Sequence, residues 1–525
     1  MTSLNYCSDN FKCTHKNDSD EVSLASNYYC KFTSQKITFI AMQLDTPYQL
    51  KNYIGGILQA PIDGVFLNNY NPATAEVCGE IPNSNEADVD LAVSTAEQAF
   101  TNWANTPTEE RFRLLNAIAD AIENNADVLA HAETNDNGKP LWSSKEVDIK
   151  RAADNFRFFA TAAMQFASES HSMGNAGINY TLRQPLGIVG CISPWNLPIY
   201  LFTWKIAPAL AAGNCVIAKP SEVTPVTAYL LSKICIEVGL PKGVLNILHG
   251  DGPSCGEAIV KHKKIKAISF TGSTRAGMQI ASVAAPMFKK LSLELGGKNP
   301  NIIFADCNWE KMMATTIRSS FSNQGQICLC GSRILIEASI YDKFKFEFVE
   351  KIKQLSIGDP LEYNNQGAIV SKIHFDKINA CIAKAKSEGG TILCGGEIVQ
   401  PTGRCKNGWF ISPCVIEHLG PNCDTNQEEI FGPVVTLQKF ENKEEAIQLA
   451  NASAYGLAAS IWTQDISIAN EMAAKVEAGI IWINTWLQRD LRTAFGGVKN
   501  SGVGREGGWE AMRFFTEAKN VCIGF

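Results

Sequence analysis

From residue 183 onward, short apolar runs alternate with amphipathic stretches. The runs at 187–192, 214–219, 244–248 and 267–271 read as strands. Helical stretches fill the intervals at 201–212 and 226–238, and the second stops at Gly239-Leu240-Pro241. Such alternation predicts an α/β chain with a parallel sheet wound by crossover helices. Ligands of such sheets sit at the carboxyl ends of the strands. A second alternation follows residue 300: strands at 301–304 and 333–336 flank a helix near 311–321, and helices at 344–354 and 375–387 come next. Upstream, Thr106-Pro107-Thr108-Glu109 spells a capping box with proline at the first helical position. It predicts one helix whose face carries Phe112, Leu115, Ile118, Ile122 and Leu129. Two further strands, 180–182 and 519–525, fall outside both blocks and are expected to pair in a small sheet that joins subunits.

Composition narrows the class. At 525 residues the chain is long enough for three or four domain-sized units, and 45% apolar with 19% charged residues is ordinary for a globular protein. The net charge of −6 gives no basic surface for nucleic acid. No apolar run is long enough for a membrane helix. Seventeen cysteines without a C-x-x-C pair read as reduced thiols in the cytosol, and the dispersed His and Cys make no metal cluster. Residues 1–41 differ from the rest, with three Cys, no Arg, and four Lys against four acidic residues. They match neither a signal peptide nor a mitochondrial presequence. They are expected to be a flexible extension, with Met42 a natural alternative start.

Several predicted strand ends carry residues suited to chemistry. Phe270-Thr271-Gly272-Ser273-Thr274-Arg275-Ala276-Gly277 leaves a strand and opens a helix. Glycine at either end permits a tight backbone, and a helix N-terminus favours an anion. The segment is neither a dinucleotide fingerprint nor a P-loop, so phosphate binding and plain turn geometry fit it equally. In Lys219-Pro220-Ser221-Glu222, a carboxylate at a strand end either accepts from ribose hydroxyls and repels a 2′-phosphate, or is an exposed loop glutamate. In Ser193-Pro194-Trp195-Asn196, the Asn196 amide either holds an oxyanion or caps the next helix. Leu291, Leu293 and Leu295 alternate with Ser292 and Glu294, which puts Glu294 at the end of an apolar strand. Desolvation there fits it for general-base work, although a satisfied structural glutamate reads the same. Cys328 stands among polar and glycine residues at 323–331, where a thiolate would be exposed.

In order along residues 50–525, these five segments and two more resemble the aldehyde dehydrogenase superfamily. The carrying motifs are Pro194-Trp195-Asn196, Lys219-Pro220-Ser221-Glu222, Phe270 to Gly277, Glu294-Leu295-Gly296-Gly297-Lys298, Gly325-Gln326-Ile327-Cys328, Glu429-Ile430-Phe431-Gly432-Pro433 and Phe495-Gly496-Gly497. The resemblance implies a Rossmann-like NAD-binding domain at 42–170 and 186–293, an α/β catalytic domain at 294–490, and a β oligomerisation element at 171–185 and 505–525. It implies Cys328 as nucleophile, Glu294 as the base that activates water, and Asn196 as the oxyanion ligand. It implies NAD contacts from Ser193, Trp195, Lys219, Ser221, Glu222, Gly272, Ser273, Gly277, Leu295, Glu429 and Phe431, with Glu222 favouring NAD over NADP. It also implies a homodimer or homotetramer.

A closer resemblance is to the branch that oxidises 2-aminomuconate and 2-hydroxymuconate semialdehydes in tryptophan (kynurenine) or aromatic catabolism. It rests on Trp486-Leu487-Gln488-Arg489-Asp490-Leu491-Arg492, Gly504-Arg505-Glu506-Gly507-Gly508 and Lys519-Asn520-Val521-Cys522-Ile523. It implies a carboxylate-bearing aldehyde met by Arg489 and Arg151, with Arg492 a further cation, and with Trp204 and Phe495 lining the site. Guanidinium grips carboxylate through two parallel donors. Two positions depart from the family: Ala494 replaces a usual Pro, and Cys330 lies two residues from the nucleophile, where a reversible oxidised pair is conceivable. A dehydrogenase of neutral aldehydes and a non-catalytic relative are the competing readings. The second is disfavoured by the joint presence of Cys328, Glu294 and Asn196.

Overall fold

The computed structural model describes residues 44–525, so the expectation for 1–41 lies outside the described residues. The predicted α/β alternation forms a sheet with the order Gly502–Val503, Lys290–Glu294, Ile265–Thr271, Ile188–Ile192, Cys215–Lys219, Leu245–Ile247, Asn52–Ile54, Ile57–Gln59. Its central strands, from Lys290–Glu294 to Leu245–Ile247, are all parallel. Ile188–Ile192 and Cys215–Lys219 are buried along their whole length, which explains why they read as unbroken apolar runs. Chain order runs outward from Ile188–Ile192 on one side, then returns to Ile265–Thr271 on the other. The reversal places a topological switch point between those two strands, where such sheets open a crevice.

A second sheet follows the order Thr391–Cys394, Cys414–Glu417, Val434–Phe440, Arg333–Glu337, Pro300–Ile303, Ala458–Trp462, Ile480–Ile483. Helices Trp309–Phe321 and Tyr341–Ile352 bury Met312, Met313, Phe321, Phe344 and Phe348 against it. The predicted small sheet is present: Gly177–Pro185 and Thr516–Gly524 pair antiparallel over nine residues, with Tyr180 opposite Val521 and Leu182 opposite Lys519. Ser170–Ser172 adds a third strand. Helix Gly508–Phe514 precedes the last strand and buries Ala511 and Met512 in the main core.

Local expectations upstream needed correction. Helix Thr108–Asn124 begins without a side-chain cap, because the Thr106 hydroxyl donates to the carbonyl of Asn102 at the end of the preceding helix. The predicted single helix breaks at Asn125 (φ −109°, ψ 19°), so Leu129 sits on a separate helix, Ala126–Asn137. The apolar spacing carried across the break because both helices face one core.

Candidate functional site

Two cavities meet at Cys328. The smaller, about 200 Å3, lies at the switch point and is lined by Trp195 and Asn196, Thr271 to Ser273, Leu295, Gly296, His374, Glu429 and Phe431. Trp195 meets Phe431 edge-on at 5.2 Å and His374 at 4.9 Å between ring centroids. His374 Nε2 lies 2.6 Å from the Phe431 carbonyl, and burial lowers its pKa to about 4, so the ring is neutral and donates there. This bond holds Phe431 in a left-handed backbone conformation (φ 62°). The sequence showed no pairing for His374; only the fold brings it to Phe431.

Glu429 accepts from the Gly297 N–H at 2.9 Å, and its carboxylate lies where a Cβ on Gly296 would stand. Burial raises its pKa, opposed by that bond and by Lys377 and Lys298. Lys219 is buried and donates to Glu222 Oε2 at 3.2 Å, and Ser221 closes its own turn onto Val223 N–H. The Ser193 hydroxyl is buried without a partner among the described residues, as are those of Thr271 and Thr274. Ser273 accepts from Ala276 N–H as the N-cap of helix Thr274–Ala284. The glycines of this turn serve close approach. Neither Gly272 nor Gly277 has positive φ; a Cβ on Gly277 would stand 2.5 Å from Leu295, so glycine serves close packing rather than a left-handed turn.

The Cys328 loop leaves helix Trp309–Phe321 through left-handed Asn323 (φ 50°), Gln324 (φ 56°) and Gly325 (φ 69°). A side chain on Gly325 would strike the backbone of Gly432, so this loop and the Glu429 loop are docked together. Cys328 is half-buried rather than exposed. Burial, Glu429 and Glu294 push its thiol far above the usual range, with Arg489 opposing, so the resting group is a neutral thiol. Its carbonyl accepts from Asn299 Nδ2 at 2.7 Å. The Asn196 Nδ2 donates to the Gln326 carbonyl at 3.0 Å, two residues before Cys328. Glu294 is buried, and neither carboxylate oxygen has a hydrogen-bond partner among the described residues. Burial, then Glu506, raise its pKa well above the carboxylate range against Lys205, Arg505 and Arg489. Glu506 is itself held by Lys205 (2.7 Å) and Ser269 (3.1 Å). Cys330 is buried with its pKa pushed up to about 12, and it lines a separate cavity of about 20 Å3.

The larger cavity, about 500 Å3, is walled by Cys328, Glu294, Tyr200, Phe321, Trp486, Arg489 and Phe495 among others. Arg489 is half-buried and makes no ion pair among the described residues. Its guanidinium lies 3.9 Å from the Phe495 ring centroid and 5.1 Å from that of Trp204, and Nη1 donates to the Tyr200 hydroxyl at 2.8 Å. Trp204 therefore supports Arg489 from behind rather than lining the cavity. The Arg151 guanidinium stands 5.5 Å from the Tyr200 ring centroid, and Arg151 is not among the residues that line the cavity. Arg492 is an exposed residue paired with Asp490 at 2.5 Å, and it does not line the cavity either. Tyr200 and Arg318 escaped the sequence reading. Ala314, Ile317, Arg318 and Phe321 line the cavity with helical spacing, so a lone Arg in an apolar stripe just before Cys328 was the available signal.

A strand-end cleft with a half-buried cysteine between the carboxylates of Glu294 and Glu429 is equipped for covalent chemistry at sulfur, and comparison with known proteins gives the class. The profile of the Aldehyde dehydrogenase family matches residues 63–521, and the chain belongs to that family. It is an aldehyde-oxidising enzyme. It is similar to the 2-aminomuconic semialdehyde dehydrogenase of Mus musculus, 46% identical over 90% of this chain and 98% of that protein. It is also similar to the 2-hydroxymuconic semialdehyde dehydrogenase of Pseudomonas sp. (strain CF600), 41% identical over 90% and 99%. The NAD+ complex of an aldehyde dehydrogenase from Bacillus cereus superposes with a TM-score of 0.88 at 37% identity, covering 91% of this chain and 97% of that one. Among the described residues no helix is long and apolar enough to cross a membrane, and no group of His, Cys, Asp or Glu is placed to hold a metal ion.

Proposed function

We propose that the chain oxidises a carboxylate-bearing semialdehyde of the muconate type to the acid, with NAD as electron acceptor. The observation that carries the substrate class is Arg489, a guanidinium without a counter-ion in the cavity that also holds Cys328 and Glu294. An uncompensated cation beside an apolar wall is costly unless an anion completes it. The muconic semialdehyde names of the relatives support the same choice.

The residues present fit NAD. The Ser193 hydroxyl is orphaned at the switch point, Gly296 gives the Glu429 carboxylate room beside the cleft, and Trp195 and Phe431, set edge-on, line the smaller cavity. Lys219 and Glu222 stand at the end of the neighbouring strand, where Glu222 suits ribose hydroxyls and opposes a 2′-phosphate. When bound, NAD+ supplies the acceptor for the aldehyde hydrogen and its electron pair.

The chain's own groups perform the rest. Cys328 releases its proton to solvent, and its thiolate sulfur attacks the aldehyde carbon, forming the S–C bond as the carbonyl π electrons move to oxygen to give an oxyanion. The second N–H of the Asn196 amide and the Cys328 N–H stabilise that oxyanion. Re-forming the C=O bond as the hydrogen departs leaves a thioester on Cys328. Glu294 then takes a proton from water, whose oxygen attacks the thioester carbon. The S–C bond breaks, returning the thiolate and releasing the acid.

The wider organisation proposed is a cofactor domain from 42–170 and 186–293, a catalytic domain from 294–490, and assembly as a homodimer or homotetramer through the sheet at 171–185 and 505–525. The decisive test is NADH formation at 340 nm with 2-hydroxymuconate semialdehyde against a neutral aldehyde of similar length. A kcat/KM no better for the charged aldehyde would remove the carboxylate reading and leave a dehydrogenase of neutral aldehydes.

A further inference from the structure

Three N–H groups converge on the carbonyl oxygen of Asn196: Asn323 Nδ2 at 2.9 Å, Lys139 Nζ at 3.0 Å and Asn137 Nδ2 at 3.5 Å. Lys139 is fully buried, and it is delivered there by local structure. Helix Ala126–Asn137 ends at Gly138 in the left-handed conformation (φ 86°), where a Cβ would press on Ala368 and Pro72. The turn throws Lys139 inward. Its ammonium pairs with Asp148 Oδ2 at 2.5 Å and lies 4.0 Å from Glu133 Oε1. Asp148 stands on a π-helical turn, Ser144–Ile149, a local widening that recurs at functional sites. Glu133 accepts from the Ile199 N–H and the Thr227 hydroxyl, so it also anchors the helix that follows Asn196.

This is a costly arrangement for a purely structural purpose. Burying an ammonium takes several kcal/mol of desolvation, recovered only through good geometry. The Asn196 carbonyl needs two donors at most, and neutral ones suffice. What the cluster secures is orientation. The Asn196 carbonyl is pinned from one side by Lys139 and Asn323, while its side-chain amide is pinned from the other by the Gln326 carbonyl. With both ends held, one N–H of that amide is left over, in the cavity it shares with Cys328.

We propose that Lys139 is a positioning residue that sets the oxyanion-binding amide of Asn196 through the Asn196 carbonyl. The proposal rests on the reading of Asn196 given above. An oxyanion donor is effective only when fixed in advance at the place where charge develops. Without Lys139, the 195–197 peptide has fewer anchors and the amide must be ordered during the reaction.

Acylation of Cys328 by p-nitrophenyl acetate tests this without cofactor, because the ester carbonyl forms an oxyanion at the same sulfur and releases p-nitrophenolate. The variants are Asn196→Ala, the charge-balanced double Lys139→Met/Asp148→Asn, and all three changes together. Asn196→Ala is expected to slow the burst by about 10²–10³-fold, the cost of one oxyanion donor. The double variant is expected to slow it by roughly tenfold, and by less than about twofold when Asn196 is already Ala, because residues acting as a unit are not additive. Thermal unfolding and iodoacetamide labelling of Cys328 establish that each variant is folded. Equal slowing in both backgrounds would make Lys139 a general support of the fold and overturn the proposal, as would an unaltered burst in the double variant. An unaltered burst in Asn196→Ala alone would instead overturn the Asn196 reading itself.

Discussion

On one side of Cys328 the cavity wall comes largely from the segments that leave three adjacent strands of one parallel sheet: Ser193 to Asn196, Thr271 to Ser273, and Leu295 to Gly297. On the other side, besides Thr271 and Glu294 from that sheet, the wall is assembled from scattered places: the turn at 140–147, helix Pro198–Ala211, helix Trp309–Phe321, residues 365–366, the 486–495 loop and Glu506. The two sides also treat charge differently. Glu429, on the first side, is tied to the Gly297 N–H, whereas Glu294, on the second, has no partner among the described residues. Arg489 likewise has no carboxylate partner on its side. On the first side the carboxylate is tied down and hydroxyls are left open, whereas on the second, among the described residues, Glu294 is left without a hydrogen-bond partner and Arg489 without a carboxylate.

The largest expected effect lies where the sides meet. Cys328→Ala is expected to abolish aldehyde oxidation while NAD affinity, measured by quenching of tryptophan fluorescence, stays within about twofold, because in the proposed mechanism the thiol makes the covalent bond and the dinucleotide is held elsewhere. An active Cys328→Ala protein would move the nucleophile to another thiol, with Cys330 nearest in sequence.

Glu294→Gln comes next. With Glu294 as the proposed base and Cys328 as the proposed nucleophile, a stopped-flow burst of NADH is expected to persist while steady-state turnover falls by roughly 10²–10⁴-fold, the usual worth of a general base. The pH dependence has a fixed sign. The carboxyl is raised by burial and by Glu506, and the base acts only when deprotonated, so turnover rises with pH through a value above the carboxylate range. Glu294→Gln flattens that rise. An unchanged profile would assign it to a different group.

These two differences also show how far the sequence was legible. Strand ends were readable because parallel strands buried on both faces announce themselves as apolar runs, and the residue after each run falls at the sheet edge. Asn196 and Glu294 came from that logic, and Cys328 from its polar, glycine-rich surroundings at 323–331, each together with the family resemblance. What stayed hidden depends on tertiary packing. Tyr200 lies on a helix that is buried all round, so no polar face singled it out. His374 reaches the site only through tertiary packing, against Trp195 and bonded to Phe431, 57 residues away. The capping box at Thr106 failed because the preceding helix end competed for the hydroxyl. Cys328 was expected in an exposed setting because its neighbours are polar, yet those neighbours spend their polar groups inward, as Gln324 does on Ala368 and Asn323 on Asn196.

On the substrate side, Arg489→Ala is expected to lower kcat/KM for a carboxylate-bearing semialdehyde by about ten- to hundredfold, the equivalent of a charge-assisted hydrogen bond of about 1.5–3 kcal/mol. Turnover of a small neutral aldehyde changes far less. Arg489→Lys recovers only part, since an ammonium lacks the planar fork and stacks poorly between Phe495 and Trp204. Equal losses on both substrates would mean that Arg489 supports the loop. On the cofactor side, Glu222→Ser is expected to narrow the preference for NAD over NADP by about tenfold, one charge-assisted interaction. An unaltered ratio of the two kcat/KM values would show that Glu222 serves only Lys219.

The smallest effect is the most useful control on this comparison, because it separates position from charge. Arg492 lies three residues from Arg489 on the same loop, and both were read as cations suited to an anionic substrate. The structure gives them different surroundings. Arg489 is half-buried against two aromatic rings, whereas Arg492 is exposed and its guanidinium is already paired with Asp490. That pairing lowers the Asp490 carboxyl to about 2, first through the Arg492 side-chain bond, yet both partners face solvent, where such a pair contributes little. Arg492→Ala is therefore expected to change kcat/KM for the charged semialdehyde by less than about twofold at ordinary ionic strength, since solvent screens a charge that makes no contact. A tenfold loss that vanished in high salt would mean that the loop's net charge steers the substrate. The difference between Arg489 and Arg492 would then be one of approach to the cavity rather than of contact within it.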